Sequence, residues 1–399
     1  MPDLSETHKK LPVAPLALVV LDSAKQLGDE IDRHLVAIRK KENNEWAHAE
    51  GIQGYIKDSY LVAARCPRFS SGEGKGEFLE SVRGKDVFLL VDVCNNSITY
   101  RMNGFLNHMS PDDHYQDLKR LIAAATGVAR RVNVIMPFLY EGRQHKRNSR
   151  ESLDCAFMLE ELSNMGVDNF ITFDAHDPTV ANAIPLNGFD NYMPPTQFMK
   201  ALLDSEKDLI IDKDHLVVIS PDEGALNRAI YFANVLGVNT GMFYKRRDYT
   251  QVVNGKNPIV AHEFLGESID GKDVIIIDDM ISSGESMLDT SRQLKEMNAK
   301  RVFICCTFGL FTNGLAAFDK AYERCWFEKV ITTNLNYLPP ELKEKPYFLE
   351  ADMSDFVADV ITMMNHDVSM SNINETSEEI HKAIDKYNNR EFLELEEHA

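Results

Sequence analysis

The sequence has little of what marks secreted, membrane-spanning or nucleic-acid-binding proteins. Its 399 residues include six cysteines and no C-x-x-C pair, which argues against a disulfide scaffold and favours reduced thiols in a cytoplasmic protein. The longest apolar run, PVAPLALVVL, is too short to span a bilayer and lacks a signal-peptide cleavage pattern. Lys and Arg number 43 against 62 Asp and Glu, a net charge of −19. Because the electric field of a chain this acidic repels phosphate, neither nucleic acid nor a membrane is an expected partner.

Short apolar runs alternate with amphipathic stretches along most of the chain. This alternation is typical of an α/β fold with mainly parallel sheets flanked by helices. Two segment pairs also resemble each other in the same order: GKDVFLLVDV with GKDVIIIDDM, and RVNVIMPF with RVFICCTF. The repetition predicts two tandem copies of one domain.

The repeat and the composition together predict the organisation of the chain. We expect an N-terminal domain at residues 14–190, with an insertion at about 40–65, and a C-terminal domain at 191–368. Residues 369–399 are acidic and carry apolar residues at helical spacing, so they predict a helical tail.

The segment VIIIDDMISSGES, residues 274–286, runs a buried-looking strand into two aspartates and a serine-rich turn. In an open parallel sheet, ligands bind beyond the carboxyl ends of the strands. Both carboxylates can serve one ligand only if the strand ends there and the chain turns. A turn that opens a helix favours a phosphate, while carboxylates accept hydrogen bonds from sugar hydroxyls or hold a metal. A capped helix whose aspartates bind nothing fits these residues equally well.

Five further segments carry polar groups after strand-like runs. In isolation, a run of cations or a lone histidine is more often a solvated turn or a structural residue. The segments are RFSSGE (68–73), PFLYEGRQHKR (137–147), ITFDAHD (171–177), VVISPDEGALNRA (217–229) and MFYKRRDYT (242–250), the last followed by the polar stretch QVVNGKNP.

Together these motifs resemble the ribose-phosphate diphosphokinase family, also called phosphoribosyl pyrophosphate synthetases. The resemblance covers most of residues 14–368. It implies two tandem phosphoribosyltransferase-like domains and transfer of the diphosphoryl group of ATP to the anomeric hydroxyl of ribose 5-phosphate. The products are 5-phosphoribosyl 1-diphosphate and AMP. It also implies Mg²⁺ as cofactor and a homo-oligomer, at least a dimer and commonly a hexamer in the family.

The resemblance assigns roles residue by residue. The implied ATP-binding residues are Phe69, Ser71, Glu73, Arg143 and Gln144. The implied ribose-5-phosphate-binding residues are Asp278, Asp279, Ser282, Ser283, Gly284, Glu285 and Ser286. The implied metal-binding residues are His176 and Asp222, and the implied catalytic residues are Lys245 and Arg247.

The sequence departs from the family at three points. Ser71 stands where the family usually has Asn or Asp, and Ala225 and Asn227 replace a glycine and a lysine of the family's pyrophosphate loop. Ser282 stands where an aspartate is common, so weaker binding of the sugar is expected. Two alternatives remain: a phosphoribosyltransferase, which shares the sugar loop but consumes the product, and a non-catalytic regulatory subunit.

Overall fold

The structure is a computed structural model that describes residues 7, 10–45, 54–247, 259–369, 384, 387 and 388. Contacts group the chain into two compact units. Unit 1 comprises Met1–Met193, Asn334–Tyr337 and Asp352–Asn374, and unit 2 comprises Pro194–Thr333, Leu338–Ala351 and Glu375–Ala399. The boundaries 14–190 and 191–368 stay predictions, and grouping by contacts assigns residues 352–368 to unit 1.

Unit 1 is built around a five-stranded sheet with the order β1-β4-β7-β8-β9. All four strand pairings in it are parallel. Its elements are β1 (Leu16–Val20), α1 (Lys25–Glu45), β2 (Ala64–Arg65), β3 (Glu77–Phe78), β4 (Asp86–Leu90), β5 (Thr99–Met102), β6 (Phe105–His108), α2 (Pro111–Ala125), β7 (Arg131–Ile135), α3 (Asp154–Asn164), β8 (Asn169–Phe173) and β9 (Gly188–Tyr192).

Unit 2 is built around a seven-stranded sheet with the order β12-β11-β10-β13-β14-β15-β16. Only the β11–β12 pairing is antiparallel among its described strands. Its elements are α4 (Pro195–Ser205), β10 (Leu216–Ser220), α5 (Leu226–Leu236), β11 (Asn239–Arg247), β12 (Ile259–Leu265), β13 (Asp273–Ile281), α6 (Glu285–Glu296), β14 (Arg301–Gly309), α7 (Ala316–Glu323), β15 (Lys329–Thr333), α8 (Pro340–Lys343) and β16 (Phe348–Ala351). The last helix, α9 (Ser354–Asn365), belongs to unit 1.

The repeated sequences form the same structural feature in each unit. In unit 1, Nε and Nη2 of Arg131 on β7 donate to the two carboxylate oxygens of Asp86 on β4, at 2.9 and 2.7 Å. In unit 2, Arg301 on β14 binds Asp273 on β13 through the same atoms at the same distances. Both aspartates are at most 3% exposed. Removing either arginine would therefore leave a buried carboxylate without its partner and would lower the unfolding free energy by ~3–5 kcal/mol. The predicted α/β class with two mainly parallel sheets is confirmed.

Some predicted details differ or lie outside the described residues. The 99–108 hairpin was not predicted, although Asn103-Gly104 between two strand-like runs is a hairpin signal. Helix α1 extends into the predicted insertion as far as Glu45, and residues 46–53 lie outside the described part. Of the tail, residues 369, 384, 387 and 388 are described, and the hydroxyl of Tyr387 donates to the Glu206 carbonyl within unit 2.

Candidate active site

The strand order of unit 2 creates a crevice between β10 and β13. From β10 the chain adds β11 and β12 on one side of the sheet, and then returns to add β13 and its successors on the other. The connections after β10 and β13 therefore leave in opposite directions and open a crevice between them. Open α/β sheets bind ligands in such a crevice. The loop 221–225 follows β10 and the loop 282–284 follows β13. The five-strand sheet of unit 1 runs in one direction and has no such point among its described strands.

Two adjacent carboxylates and one arginine occupy this crevice. Asp279 is 3% exposed, and Nη1 of Arg228, from the first turn of α5, lies 3.5 Å from Oδ1 of Asp278. Burial and the neighbouring Asp279 raise the pKa of Asp278 well above its usual range, and Arg228 opposes that rise. Two carboxylates this close resist ionising together. The pair is therefore suited to binding a cation, or hydroxyl groups that donate hydrogen bonds to the carboxylates.

The strand does not end at the aspartates as the sequence had suggested. Strand β13 continues to Ile281, pairing Met280 with Phe308 on β14. The sequence placed the turn at residues 281–286; the strand includes Ile281, and the turn begins at residue 282. Adjacent strand residues normally leave on opposite faces, but here the carboxyl groups of Asp278 and Asp279 interact directly with each other, so one ligand can contact both.

The loop after β13, which leads into α6, packs closely against Thr312 and Phe318. The amide of Thr312 donates to the Ser282 carbonyl at 3.0 Å, and Gly284 is the N-cap of α6 with φ +83°. A Cβ on Gly284 would lie 2.4 Å from two ring atoms of Phe318. Ser282 and Ser283 are partly buried, whereas Glu285 and Ser286 are exposed. A helix N-terminus after such a turn favours an anion.

Gly284→Ala is expected to destabilise this loop and to weaken sugar-phosphate binding. An alanine here must adopt a left-handed backbone conformation and also displace the Phe318 ring. The two effects together should cost ~2–4 kcal/mol of unfolding free energy. Urea-induced unfolding would measure the loss, with Gly271→Ala as the matched control, because Gly271 also has φ +73° but no atom near its Cβ position. Equal losses in the two variants would contradict the role given to Phe318.

The loop after β10 is organised by Asp222. One of its carboxylate oxygens accepts from the amide of Gly224 at 3.0 Å, and its carbonyl accepts from the hydroxyl of Ser220 at 2.6 Å. Asp222 is partly buried and Gly224 is exposed. The carboxylate therefore lies at the same end of the sheet as the Asp278–Asp279 pair.

In unit 1, residues 68–73 form a compact turn, hereafter the 68–73 loop. The amide of Phe69 donates to the Glu73 carbonyl at 2.7 Å, and the Ser71 hydroxyl donates to Oε2 of Glu73 at 2.8 Å. The Phe69 side chain is 58% exposed. An aromatic ring held on a short turn is available to stack on a flat ligand.

Arg143 and Gln144, which have an implied ATP role, follow β7, and His176, which has an implied metal role, follows β8, its neighbour in the sheet. His176 lies 5.4 Å from His145, ring centroid to ring centroid, and Nε2 of His145 is 3.5 Å from Oδ2 of Asp177. Gln144 uses its side-chain amide to donate to the Ser152 carbonyl at 2.8 Å, while Arg143 is exposed. The structure thus brings residues 143–145 and 176 to one edge of unit 1.

The chain matches known proteins over both units. The profile of the N-terminal domain of ribose phosphate pyrophosphokinase matches residues 16–166, and that of the phosphoribosyl transferase domain matches residues 198–344. A ribose-phosphate pyrophosphokinase of Corynebacterium efficiens is 32% identical over 294 residues, covering 72% of this chain and 82% of that protein. The chain belongs to the ribose-phosphate pyrophosphokinase family.

Further members of the family agree with this assignment. The pyrophosphokinase of Pasteurella multocida is 28% identical over 315 residues, covering 78% of this chain and 90% of that protein. The crystal structure of phosphoribosylpyrophosphate synthetase from Mycobacterium smegmatis superposes with a TM-score of 0.68 at 23% identity, covering 88% of this chain and 98% of that one. That likeness supports the fold.

The implied catalytic residues Lys245 and Arg247 lie at the end of β11. The main chain of Lys245 pairs with His262 on β12, and the register shifts between Arg246 and Arg247. The side chains of residues 245–247 lie outside the described part, as do residues 248–258, which include the whole of the expected polar loop. The roles of Lys245 and Arg247 stay predictions.

Sequence reasoning missed two polar residues at these edges. Arg228 lies in a helical run, VVISPDEGALNRA, and only the strand order shows that it faces Asp278. His145 stands within the cationic run RQHKR, and only the pairing of β7 with β8 brings it to His176. No sequence signal we used distinguishes either residue from a solvated charge.

No described group of three or more His, Cys, Asp or Glu side chains is arranged to hold a metal ion. Among the described residues, no helix combines the length and the apolar character needed to cross a membrane.

Asp92 occupies the place in the first repeat that Asp279 occupies in the second. It is 3% exposed and accepts from the amides of Cys94 at 2.8 Å and Tyr337 at 2.6 Å. Burial raises the pKa of Asp92 to about 7. Since both oxygens serve backbone donors, this carboxylate has a structural task in unit 1.

The raised pKa of Asp92 makes stability depend on pH. The folded protein holds this proton more tightly than the unfolded chain, so its contribution is present at low pH and is lost as the pH rises from about 4 to about 7. Asp92→Asn is expected to reduce the fall in unfolding free energy between pH 5 and pH 7.5 by roughly 2 kcal/mol. Urea-induced unfolding of the wild type and the variant at both pH values measures this difference in unfolding free energy. An unchanged fall would show that Asp92 does not titrate in this range.

Proposed function

We propose that this protein transfers the diphosphoryl group of ATP to the anomeric hydroxyl of ribose 5-phosphate, giving 5-phosphoribosyl 1-diphosphate and AMP. The observation that carries the proposal is the Asp278–Asp279 pair with Arg228 at the strand crossover of unit 2, directly before a helix-opening loop. Membership of the ribose-phosphate pyrophosphokinase family supports the same reaction. A homo-oligomeric, cytoplasmic enzyme of nucleotide biosynthesis is part of this proposal.

The unit 2 crevice would bind the sugar phosphate. Asp278 and Asp279 accept hydrogen bonds from the 2- and 3-hydroxyls, which stabilises their charge where burial and mutual repulsion oppose it. The 5-phosphate lies at the start of α6, among the amides and hydroxyls of residues 282–286. This arrangement directs the anomeric hydroxyl away from the loop that holds the phosphate.

The residues of unit 1 would bind the nucleotide. Phe69 stacks on the adenine, and Glu73 accepts from its exocyclic amine while the Ser71 hydroxyl fixes the Glu73 carboxylate. Arg143 and Gln144 contact the ATP phosphates and sugar. The Gln144 amide nitrogen already donates to Ser152, so its free oxygen is the group left to accept from ATP.

The transfer needs positioning and charge neutralisation rather than a covalent enzyme intermediate. The anomeric oxygen attacks the β-phosphorus of ATP, the bond from that phosphorus to the bridging α–β oxygen breaks, and AMP departs with that oxygen. The hydroxyl proton passes to water. Lys245 and Arg247 neutralise the negative charge of the migrating group.

Mg²⁺ is proposed as the cofactor, and the family resemblance implies Asp222 and His176 as metal-binding residues. The Asp222 carboxylate lies in the loop after β10, at the same end of the sheet as the Asp278–Asp279 pair, and oxygen atoms are the ligands that Mg²⁺ prefers. When bound, the ion would supply charge neutralisation to the ATP phosphates. His176 is an exposed imidazole at the edge of unit 1 that binds a phosphate or a water of the ion more readily than the ion itself.

Product analysis tests the proposal against its alternatives. Purified protein with Mg²⁺, ATP and ribose 5-phosphate should release one AMP for each diphosphate ester formed. ADP as the product would indicate an ordinary kinase. Consumption of 5-phosphoribosyl 1-diphosphate with a nucleobase would indicate a phosphoribosyltransferase, and no turnover in either assay would indicate a regulatory subunit.

A further inference from the structure

The β5–β6 hairpin is a rigid structure that none of the proposed substrate contacts uses. Its turn residues Asn103 and Gly104 have φ of 51° and 84°, as a tight two-residue hairpin turn requires. Its base is fixed as well, since the amide of Met109 donates to the Ile98 carbonyl at 2.8 Å. Helix α2 follows at once, with Ser110 and Asp113 forming a capping box.

The tip of this hairpin contacts the 68–73 loop directly. The amide of Asn103 donates to the carbonyl of Ser70 at 3.0 Å. Gly72, with φ +95°, lies so close to Met102 that a Cβ there would be 2.5 Å from its sulfur. The backbone of the loop is therefore held by a hydrogen bond on one side and by a side chain on the other.

The first residue of the loop is clamped between the hairpin and α2. The guanidinium of Arg68 lies 5.2 Å from the centroid of the Tyr100 ring on β5. Its Nη1 and Nη2 donate to the two oxygens of Asp117 on α2, at 2.7 and 2.8 Å. Both charged side chains are 7% exposed. The guanidinium of Arg68, paired with a carboxylate and packed against an aromatic ring, therefore fixes the position of the first residue of the 68–73 loop.

The hairpin presents one face to the loop and the other to solvent. Tyr100 and Met102 are partly buried, whereas Thr99 and Arg101 are exposed. We propose that hairpin β5–β6 braces the 68–73 loop through Tyr100, Met102 and the Asn103 amide, and so sets the affinity for the adenine of ATP. The role of these residues is positioning, and it rests on the proposed function of the loop.

The brace can be loosened without opening the core of unit 1. A cavity of about 380 Å³ lies beneath β5, lined by Leu21 at the end of β1 and by Tyr100 among others. Because Tyr100 is only partly buried, truncating it removes few core contacts, so folding should survive. The double variant Tyr100→Ala/Met102→Ala tests the brace. Its matched control is Phe105→Ala/Leu106→Ala, which removes two exposed apolar side chains of β6 that do not line the cavity.

We expect the first double variant to raise KM for ATP about tenfold, with KM for ribose 5-phosphate unchanged, because a misplaced loop weakens only the nucleotide site. The control should keep both KM values within about twofold of the wild type. Tyr100→Phe, which retains the ring, should behave as the control does. Equal changes in both KM values, or a fall in kcat alone, would overturn the brace, since partial misfolding lowers the active fraction without selecting one substrate.

Hydrogen exchange separates failure of the brace from failure of the proposed function. Amides of residues 68–73 should exchange faster in Tyr100→Ala/Met102→Ala than in the control, whether or not the protein turns over ATP. If the wild type releases no AMP but the exchange differs, the proposed function fails and the brace stands. If AMP is released and neither exchange nor KM for ATP changes, the brace is wrong and the function stands.

Discussion

Asp278→Asn and Asp279→Asn are each expected to lower kcat/KM for ribose 5-phosphate by roughly 10- to 100-fold, since a hydrogen bond to a charged acceptor contributes ~1.5–3 kcal/mol. The double variant should lose both hydroxyl contacts, a fall of roughly 10²- to 10⁴-fold. KM for ATP should stay close to the wild-type value. Steady-state kinetics with each substrate varied in turn measures the split.

The control for these variants is Asp270→Asn, which makes the same chemical change in the exposed turn just before β13. It should leave both KM values unaltered. Thermal unfolding of all four proteins would show whether any variant loses activity by misfolding. If Asp279→Asn binds the sugar phosphate as tightly as the wild type, the sugar does not bind at the crossover of unit 2.

The same pair predicts a pH dependence of sugar binding. Burial and the second carboxylate raise the pKa of Asp278, and only ionised carboxylates accept from both hydroxyls. KM for ribose 5-phosphate should therefore decrease as the pH rises, until the pair is ionised. In Asp279→Asn, Asp278 no longer has a second carboxylate beside it, whereas Arg228 remains, so the decrease should shift to lower pH. A pH-independent KM would exclude the pair as the acceptor of the sugar hydroxyls.

The sequence predicted the fold because the fold depends on local patterns repeated along the chain. Apolar runs such as VIII (274–277) and RVFICCTF (301–308) are typical of central strands of a parallel sheet, and the repeated GKDV and RV motifs place one ion pair in each unit. The hairpin at 99–108 was missed because its two strands have only four residues each and β6 is mostly exposed, so neither strand gives a long apolar run. Its Asn-Gly turn was the signal that was available.

The site was predictable only where one segment carries it. The Asp278–Asp279 pair and the following loop are contiguous, so their chemistry can be read from the sequence. Arg228 reaches Asp278 from another helix, and it does so because β10 and β13 are neighbours. That adjacency depends on the order in which strands join the sheet, which periodicity does not encode. The extent of β13 past the aspartates likewise depends on its pairing with β14.

Lys245→Ala and Arg247→Ala are expected to lower kcat by roughly 10³-fold each, the effect typical of removing a cation that neutralises a transferring phosphoryl group. Arg246→Ala should change kcat by less than about threefold. The three residues are consecutive at the end of β11, and each variant removes one positive charge from the same place in the chain. A general effect of net charge on ATP encounter would therefore act on all three variants alike.

The comparison with Arg246 decides between a specific and a diffuse role for these cations. The backbone register shifts between Arg246 and Arg247, and such bulges are frequent next to active sites, where they redirect the chain. If kcat falls equally in all three variants, the run acts as an electrostatic patch and the assignment of Lys245 and Arg247 is wrong. A fall confined to the first and third residues, with KM for ribose 5-phosphate unchanged, would place both cations on the migrating diphosphate, because an interaction made only in the transition state lowers kcat without altering the binding of the sugar.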